Sequence, residues 1–408
     1  MISGDHLETA FSVAESVGII SSREKNSKCI MEGSNFREQI GEYKEIVTPK
    51  GIQIELLDIK KFTATLKTLK VIARATALDR FLLISGFKQM GGKVGMTGKS
   101  VADSNALKQA TVGLCMGTGC QVAKDNSDLI VTDNDFTSIY SSIKWGRAIF
   151  KNVAKFIKFQ LTVNVTLCTF ILLHSMIYGR SPFNVIQLLW ANLIMDILGA
   201  IAICTEPPQK SSDVQCKKSH RVSSKFQVIT AEVWRSVICQ SSMQLLVLII
   251  LSCFGPLMFF DEKFNKFSEP LRDSSGNPTN NMVLDTIVFH TFVLMSLFNQ
   301  INCRVADEHE MNVFKTLFNN SLFWIVLLVE FGLQSYMVWQ GKNPLGSVLL
   351  GTSDLTMNQM ITCWSLGLAP LLFHPLTVLI KVDLFENINV KLGLEEKEEG
   401  FASRVSQI

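Results

Sequence analysis

The sequence has little net charge, no closely paired cysteines and no secretory signal. Its 39 Lys and Arg against 36 Asp and Glu leave a formal net charge of +3, too small to indicate a nucleic-acid-binding surface. The ten cysteines include no C-x-x-C pair, and several lie in apolar runs. This pattern predicts reduced thiols and argues against a disulfide framework or a zinc site. The mixed, polar start MISGDHLETAFSVAES differs from a secretory signal peptide.

Long apolar runs are abundant, but in only one part of the chain. Residues 1–150 resemble ordinary globular sequence, whereas from about residue 155 apolar runs alternate with short polar ones. A membrane helix needs about 20 mostly apolar residues. Six runs reach that length, near 157–177, 185–205, 236–258, 282–301, 321–340 and 359–380. The fourth is the least apolar. So many runs in one half favour an all-α bundle of six transmembrane helices over the buried helices of a soluble protein.

Basic residues in the connections predict the orientation of these helices. The loops after the first and fifth runs carry only Arg180 and Lys342. The connections before the first run and after the second are much richer in Lys and Arg: Lys144, Arg147, Lys151, Lys155, Lys158, Lys210, Lys217, Lys218, Arg221 and Lys225. Residues 1–150 and the C-terminus are therefore expected to be cytosolic.

Strand-like and helix-like stretches alternate in residues 1–150. KVGMTG, VGLCMG and SDLIVTD are strand-like, whereas HLETAFSVAESVGII and most of VIARATALDRFLLISGFKQMGG have the pattern of helices that end at glycines. This alternation predicts an α/β fold with a parallel sheet. In such sheets, ligands bind beyond the carboxyl ends of the strands. The stretches ISGD at 2–5 and MTGKSVAD at 96–103 are placed at such ends.

These two stretches, with a helix residue, carry the groups that a phosphoryl site uses. Ser3 supplies a hydroxyl, Arg80 a cation and Asp103 a carboxylate. The hydroxyl and backbone amides bind phosphate oxygens, the cation neutralises them, and the carboxylate helps to hold Mg²⁺. A plain tight turn explains either stretch taken alone, and no nucleophile is evident.

Polar residues inside the apolar runs are functional candidates, because they are costly in a membrane. Asn164 lies in the first run, and Asn192 and Asp196 lie at i and i+4 in the second, on one helix face. A carboxylate and two amide oxygens suit a hard cation such as Ca²⁺. An interhelical hydrogen bond is the alternative for either asparagine alone. His290, Gln300 and Glu330 also fall in or near the runs, and they are given no role.

Several stretches resemble one family in its own order along the chain. They include MISGDHLETAFSVAESVGI, EGSNFRE, VIARATALDR, VAKDNSDLIVTDNDFTSI, KWGRAIFKNVAKFIKFQLTVNV, QLLWANLIMDILGAIAICTEPP and FHTFVLMSLFNQINCR. With them, the chain resembles the C-terminal portion of a P-type ATPase, closest to the autoinhibited, calmodulin-regulated plasma-membrane-type calcium-transporting ATPases of plants.

The resemblance implies three parts. Residues 1–150 would be the C-terminal part of a haloacid-dehalogenase-like phosphorylation domain, 151–382 the last six of ten membrane helices, and 383–408 a short cytosolic tail. It implies ATP and Mg²⁺ in an aspartyl-phosphate cycle, Ca²⁺ as the transported ion, and the plasma membrane in preference to an internal membrane. It also implies calmodulin as a partner, through an N-terminal segment outside these residues.

The resemblance assigns site residues one by one. Ser3, Gly4 and Asp5 stand in the first phosphate motif, with Ser3 in place of a threonine, and Arg80 stands for a catalytic lysine. Asp103 is a catalytic and Mg²⁺-binding position, with Thr97, Gly98 and Lys99 in the cofactor-binding loop. Asn164, Asn192 and Asp196 fall on ion-coordinating positions in the membrane.

Departures from the family leave two functions open. The phosphorylated aspartate of D-K-T-G-T is absent from these residues, and the family's T-G-D-G-x-N-D-A-P-A-L is here T-G-K-S-V-A-D-S-N-A-L. Lys99 therefore replaces a Mg²⁺-binding aspartate, and an ammonium group strongly repels a divalent ion at contact distance. The chain is either part of an active calcium pump or a catalytically inactive pseudo-pump that binds cations or a partner. A channel or scaffold that uses only the six helices is a third, less favoured interpretation.

Overall fold

Contacts divide the chain into two compact units, one spanning Met1–Ile143 and the other beginning at Lys144. The computed structural model describes residues 1–21, 29–48, 51–208, 228–260, 279–304, 320–339, 350–382 and 385. Of the expected tail, 383–408, the structure describes only residue 385. The basic residues between 209 and 227 also lie outside the described residues.

The first unit is an α/β fold, as the alternation predicted. Its helices are α1 (Leu7–Ser16), α2 (Gly33–Ile40), α3 (Ile59–Leu66), α4 (Ala77–Gln89), α5 (Ser104–Gln109) and α6 (Gln121–Asp125). Its strands are β1 (Ile30–Glu32), β2 (Tyr43–Thr48), β3 (Gly51–Leu56), β4 (Val71–Ala73), β5 (Gly95–Gly98), β6 (Val112–Met116) and β7 (Leu129–Val131). Strands β1 and β4 pair in parallel, and β5, β6 and β7 form a second parallel sheet.

An antiparallel hairpin of β2 and β3 departs from the predicted parallel sheet. A side chain that is distant in sequence forms hydrogen bonds with the edge of this hairpin. The amide of Gln89, at the end of α4, donates to the Leu56 carbonyl at 3.0 Å and accepts from the Leu56 amide at 3.0 Å. Because this interaction joins positions 33 residues apart, no local pattern in 43–56 could indicate it.

Helix ends in the first unit follow the signals in the sequence. Helix α4 begins with a reciprocal capping box between Thr76 and Asp79, which satisfies free amides of the first turn. Asp79 is fully buried and also accepts from Arg37 at 2.6 Å. The helix ends just before Gly91, whose φ of 78° suits glycine. These contacts position α4, which carries Arg80.

Within the described residues, six helical segments are long and apolar enough to cross a membrane, which confirms the predicted spans. They are α7 (Phe136–Tyr178), α8 (Val185–Cys204), α9 (Ala231–Phe260), α10 (Asn280–Cys303), α11 (Ser321–Trp339) and the pair α12 (Met357–Gly367) and α13 (Ala369–Leu379). The first helix starts well before the predicted span. The last span is divided at Leu368, with Pro370 at the start of α13, because proline cannot donate a helical hydrogen bond.

Helix α10, the least apolar predicted span, is also the most enclosed. Nearly all of its residues are buried, and it contacts α8, α9, α11, α12 and α13. A span surrounded by other helices can carry polar side chains that a lipid-facing one cannot. Its weak hydropathy therefore reflects a central position in the second unit.

A buried charge cluster joins four helices. Glu206, just after α8, accepts from Lys155 of α7 at 2.8 Å and from Arg304, just after α10, at 3.4 Å. The Arg304 guanidinium also lies over the ring of Phe323 of α11, 4.3 Å from its centroid. Asn152 of α7 donates to the Glu206 carbonyl at 2.8 Å. The carboxylate is thus the only anion in the cluster that these described contacts form.

Replacing this carboxylate should destabilise the second unit. Glu206→Gln removes the carboxylate that pairs with the buried Lys155 and Arg304, and removing one partner of a buried ion pair typically costs about 3–5 kcal/mol. We expect a clear fall in the midpoint of thermal unfolding of the purified chain in detergent. Glu45→Gln, at an exposed position of β2, is the control and should change the midpoint little. An unchanged midpoint in Glu206→Gln would show that the cluster does not hold the helices together.

Candidate functional site

A tight loop after β5 surrounds the Asp103 carboxylate. Its Oδ2 accepts from the amides of Lys99 and Ser100 at 3.0 and 2.9 Å and from the Ser100 hydroxyl at 2.7 Å. Gly98 allows this close approach, because a Cβ built there would lie 2.6 Å from the Asp103 Cβ. Ser100 is not among the site residues predicted from the sequence, although S-x-x-D at 100–103 has the spacing of a capping box.

Arg80 engages the other oxygen of the same carboxylate. Its Nη1 lies 2.7 Å from Asp103 Oδ1, and both side chains are only 12% exposed. Burial alone would raise the pKa of the Asp103 carboxyl, but the Ser100 and Lys99 hydrogen bonds and the Arg80 charge outweigh it and lower that pKa. Asp103 is therefore ionised at neutral pH, and Arg80 and the loop fix the position of its carboxylate.

The N-terminal stretch lies beside this ion pair. Ser3 donates its amide hydrogen to the Ile72 carbonyl at 2.9 Å, which aligns the stretch with β4. The Ser3 hydroxyl donates to Asp5 Oδ2 at 2.7 Å. A Cβ built on Gly4 would lie 3.7 Å from Arg80 Nη2. The structure thus places the predicted residue Gly4, with Ser3 and Asp5 on either side of it in the chain, beside Arg80.

The arrangement suits an anion better than a divalent cation. Both oxygens of Asp103 already accept hydrogen bonds, Oδ1 from the Arg80 guanidinium and Oδ2 from the Ser100 hydroxyl. The Lys99 side chain is exposed at the same loop, as is Thr97. Within the described residues, no group of three or more His, Cys, Asp or Glu side chains is placed to hold a metal ion. Mg²⁺ binding at Asp103 fits these contacts poorly and stays a prediction.

The membrane candidates lie on α7 and α8. Asn192 is partly buried, and its Oδ1 is fully enclosed without a hydrogen-bond partner among the described residues. Asn164 is half-buried on α7. The backbone of Asp196 continues α8 one turn after Asn192, but its side chain lies outside what the structure describes. An enclosed carbonyl oxygen without a partner is costly, and a bound cation would satisfy it.

Contacts between α7, α8 and α10 are close near these positions. A Cβ built on Gly199 of α8 would lie 3.1 Å from the ring of Phe159 on α7 and 3.2 Å from the amide nitrogen of Gln300 on α10. Gln300 is fully buried, and neither of its amide atoms has a described partner. The same is true of the amide group of Asn299. The sequence showed these polar residues, but only the fold shows that they are enclosed and unpaired.

Comparison with known proteins identifies the second unit. Residues 180–380 match the family model described as cation transporting ATPase, C-terminus. The chain is 32% identical over 375 residues to calcium-transporting ATPase 4, plasma membrane-type, of Arabidopsis thaliana. This match covers 89% of this chain and 32% of that protein. It is 33% identical over 376 residues to calcium-transporting ATPase 1, plasma membrane-type, of Oryza sativa subsp. japonica, with the same coverage of each.

A fungal relative gives the same result. The chain is 33% identical over 378 residues to calcium-transporting ATPase 2 of Schizosaccharomyces pombe, covering 89% of this chain and 26% of that protein. The chain therefore spans less than a third of the length of these curated relatives. With six apolar helices and these matches, it is a multi-pass membrane protein. It belongs to the family of cation-transporting P-type ATPases, and residues 180–380 are that family's C-terminal region.

Proposed function

We propose that the chain is the C-terminal portion of a plasma membrane-type calcium-transporting ATPase and that its second unit contributes ligands to the Ca²⁺ pathway. The observation that carries this proposal is the enclosed, unpartnered Oδ1 of Asn192, one helical turn from Asp196. Ca²⁺ binds six to eight oxygen atoms, mainly carboxylate, amide and carbonyl oxygens. Asn164 on α7 would supply a further amide oxygen. The names of the relatives support Ca²⁺ as the ion.

The first unit would be the C-terminal part of a haloacid-dehalogenase-like phosphorylation domain. Its support is the parallel strand arrangement and the grouping of Ser3, Gly4, Arg80 and Asp103. In that role, the Ser3 hydroxyl and the Arg80 and Lys99 cations would bind phosphate oxygens from ATP chemistry. The plasma membrane is the expected location, and the calmodulin partner stays a prediction of the resemblance.

A pseudo-pump is the second candidate function. It is favoured by the Arg80–Asp103 ion pair and by Lys99, which together place positive charge where the family uses Mg²⁺. In this form the chain would bind cations or a partner subunit without turning over ATP. The two functions share the proposed Ca²⁺ ligands and differ in whether Mg²⁺ assists phosphate binding in the first unit.

Calcium binding by the purified chain in detergent tests the membrane ligands. We expect Asp196→Asn and Asn192→Ala to weaken equilibrium binding of radioactive Ca²⁺ by at least ~10-fold, since even outer-shell partners of a metal cost that much. Matched controls are Asp354→Asn and Asn358→Ala, which change exposed residues near the start of α12 and should bind like the unsubstituted chain. Equal binding by all five proteins would remove α8 from the Ca²⁺ pathway.

Phosphate binding, measured by calorimetry with and without Mg²⁺, separates the two functions. Because Lys99 is exposed at the loop, Lys99→Ala should weaken binding of inorganic phosphate several-fold without unfolding the unit. Lys108→Ala, an exposed lysine on α5, is the control. The contacts of Asp103 predict that Mg²⁺ does not strengthen phosphate binding in the unsubstituted chain. A strong Mg²⁺ enhancement there would contradict the pseudo-pump and support an active phosphorylation domain.

A further inference from the structure

Helix α11 carries a carboxyl group that the Ca²⁺ pathway does not use. Glu330 is 3% exposed, and neither carboxyl oxygen has a hydrogen-bond partner among the described residues. Gln334, one turn later, is 2% exposed. Its Oε1 accepts from Trp190 Nε1 of α8 at 3.1 Å, whereas its Nε2 has no described partner. Two polar groups of one helix face are thus enclosed and only partly satisfied.

A small cavity lies beside these two side chains. Helices α8, α10 and α11 line it, with the residues Trp190, Ala191, Val293, Leu297, Glu330, Leu333 and Gln334. Its volume is about 10 Å³, room for about one water molecule. Glu330 and Gln334 supply the two or more polar partners that a buried water needs. The other lining side chains are mainly apolar.

The lining determines which ligand the carboxyl can take. Ca²⁺ needs six to eight oxygen atoms, and the cavity offers far fewer. An ionised carboxylate that is buried without a partner is very costly, and such a group instead becomes neutral by binding a proton. Membrane-embedded carboxyl groups of this kind commonly mark proton pathways.

Among the side chains that the structure describes, no charged group from a neighbouring helix lines the cavity to stabilise an ionised Glu330. On α10, Asp285 is ion-paired with Arg180 at 2.6 Å, and the buried His290 has no described partner. The side chain of Asp196 on α8 lies outside what the structure describes. The remaining titratable groups on the helices packed around α11 are Cys204, Cys303, Cys363 and His374.

We propose that Glu330 is a proton-binding site within the second unit, separate from the proposed Ca²⁺ ligands. The neutral carboxyl donates a hydrogen bond to one water in the cavity, and this water accepts a second from the Gln334 amide. Trp190 fixes the Gln334 side chain through its Oε1, which leaves Nε2 directed to the shared space. The proposal does not depend on which metal cation the chain transports.

Labelling with a hydrophobic carbodiimide tests the proposal on the full chain in lipid vesicles. The reagent attacks protonated carboxyl groups in apolar surroundings: the acid adds across its C=N bond, and the proton moves to nitrogen. We expect a labelled Glu330 peptide by mass spectrometry, with labelling that falls as pH rises. Glu206 is the internal control, because it is also buried but is ion-paired and should stay unlabelled. Glu330→Gln should lose the label.

Infrared spectroscopy covers the case in which the reagent cannot reach the site. A protonated carboxyl has a C=O stretching band distinct from that of a carboxylate. Glu330→Gln should remove one such band, whereas Glu45→Gln, which changes an exposed carboxylate of β2, should remove none. Absence of both the label and the band would overturn the proposal. Labelling that Na⁺ or K⁺ suppresses at constant pH would also overturn it, because the site would then bind a metal cation.

Discussion

The membrane unit depends on one carboxylate that is buried with two cations. Glu206 accepts from Lys155 and Arg304, and Arg304 in turn lies against Phe323, so contacts around a single anion connect α7, α8, α10 and α11. A buried charge without a partner is very costly, so the folded state requires the carboxylate and its cations to be present together. These contacts tie α8, on which Asn192 and Asp196 lie, to α7 and α10, and the Phe323 ring adds α11, on which Glu330 lies. Asn152 strengthens the connection through the carbonyls at the end of α8.

The same rule, that a buried charge must have a partner, distinguishes the three carboxyl sites. Asp103 has Arg80 and the donors of its own loop, so it is ionised and its oxygens are occupied. Glu206 has two cations. Glu330 has neither a cation nor a described hydrogen-bond donor, and a proton is the simplest way to remove its charge. The immediate surroundings thus make Asp103 an anion that its own loop and Arg80 fix in place, Glu206 a structural anion that joins helices, and Glu330 a neutral acid. Sequence identity with the relatives alone would not separate these states.

Much of the fold could be predicted from the sequence because its signals are local. The length of the apolar runs predicted six spans, and the alternation in residues 1–150 predicted an α/β fold with helices ending near Gly18 and Gly91. Contacts between distant positions could not be predicted. Gln89 holds the hairpin edge, α10 is enclosed by five helices, and Arg80 pairs directly with Asp103 across 23 residues. Glu330 was visible as a polar residue in an apolar run, but its isolation appears only when α8 and α10 are packed beside it.

A structure of the purified chain determined in saturating Ca²⁺ tests the central claim most directly. If the membrane unit contributes Ca²⁺ ligands, density for an ion should appear between α7 and α8. Asn192 Oδ1 should then lie at about 2.3–2.6 Å from it, the usual Ca²⁺–oxygen distance, with a carboxylate oxygen of Asp196 in the same shell. An enclosed Asn192 Oδ1 with no ion beside it, at a concentration that saturates the related pumps, would contradict the account.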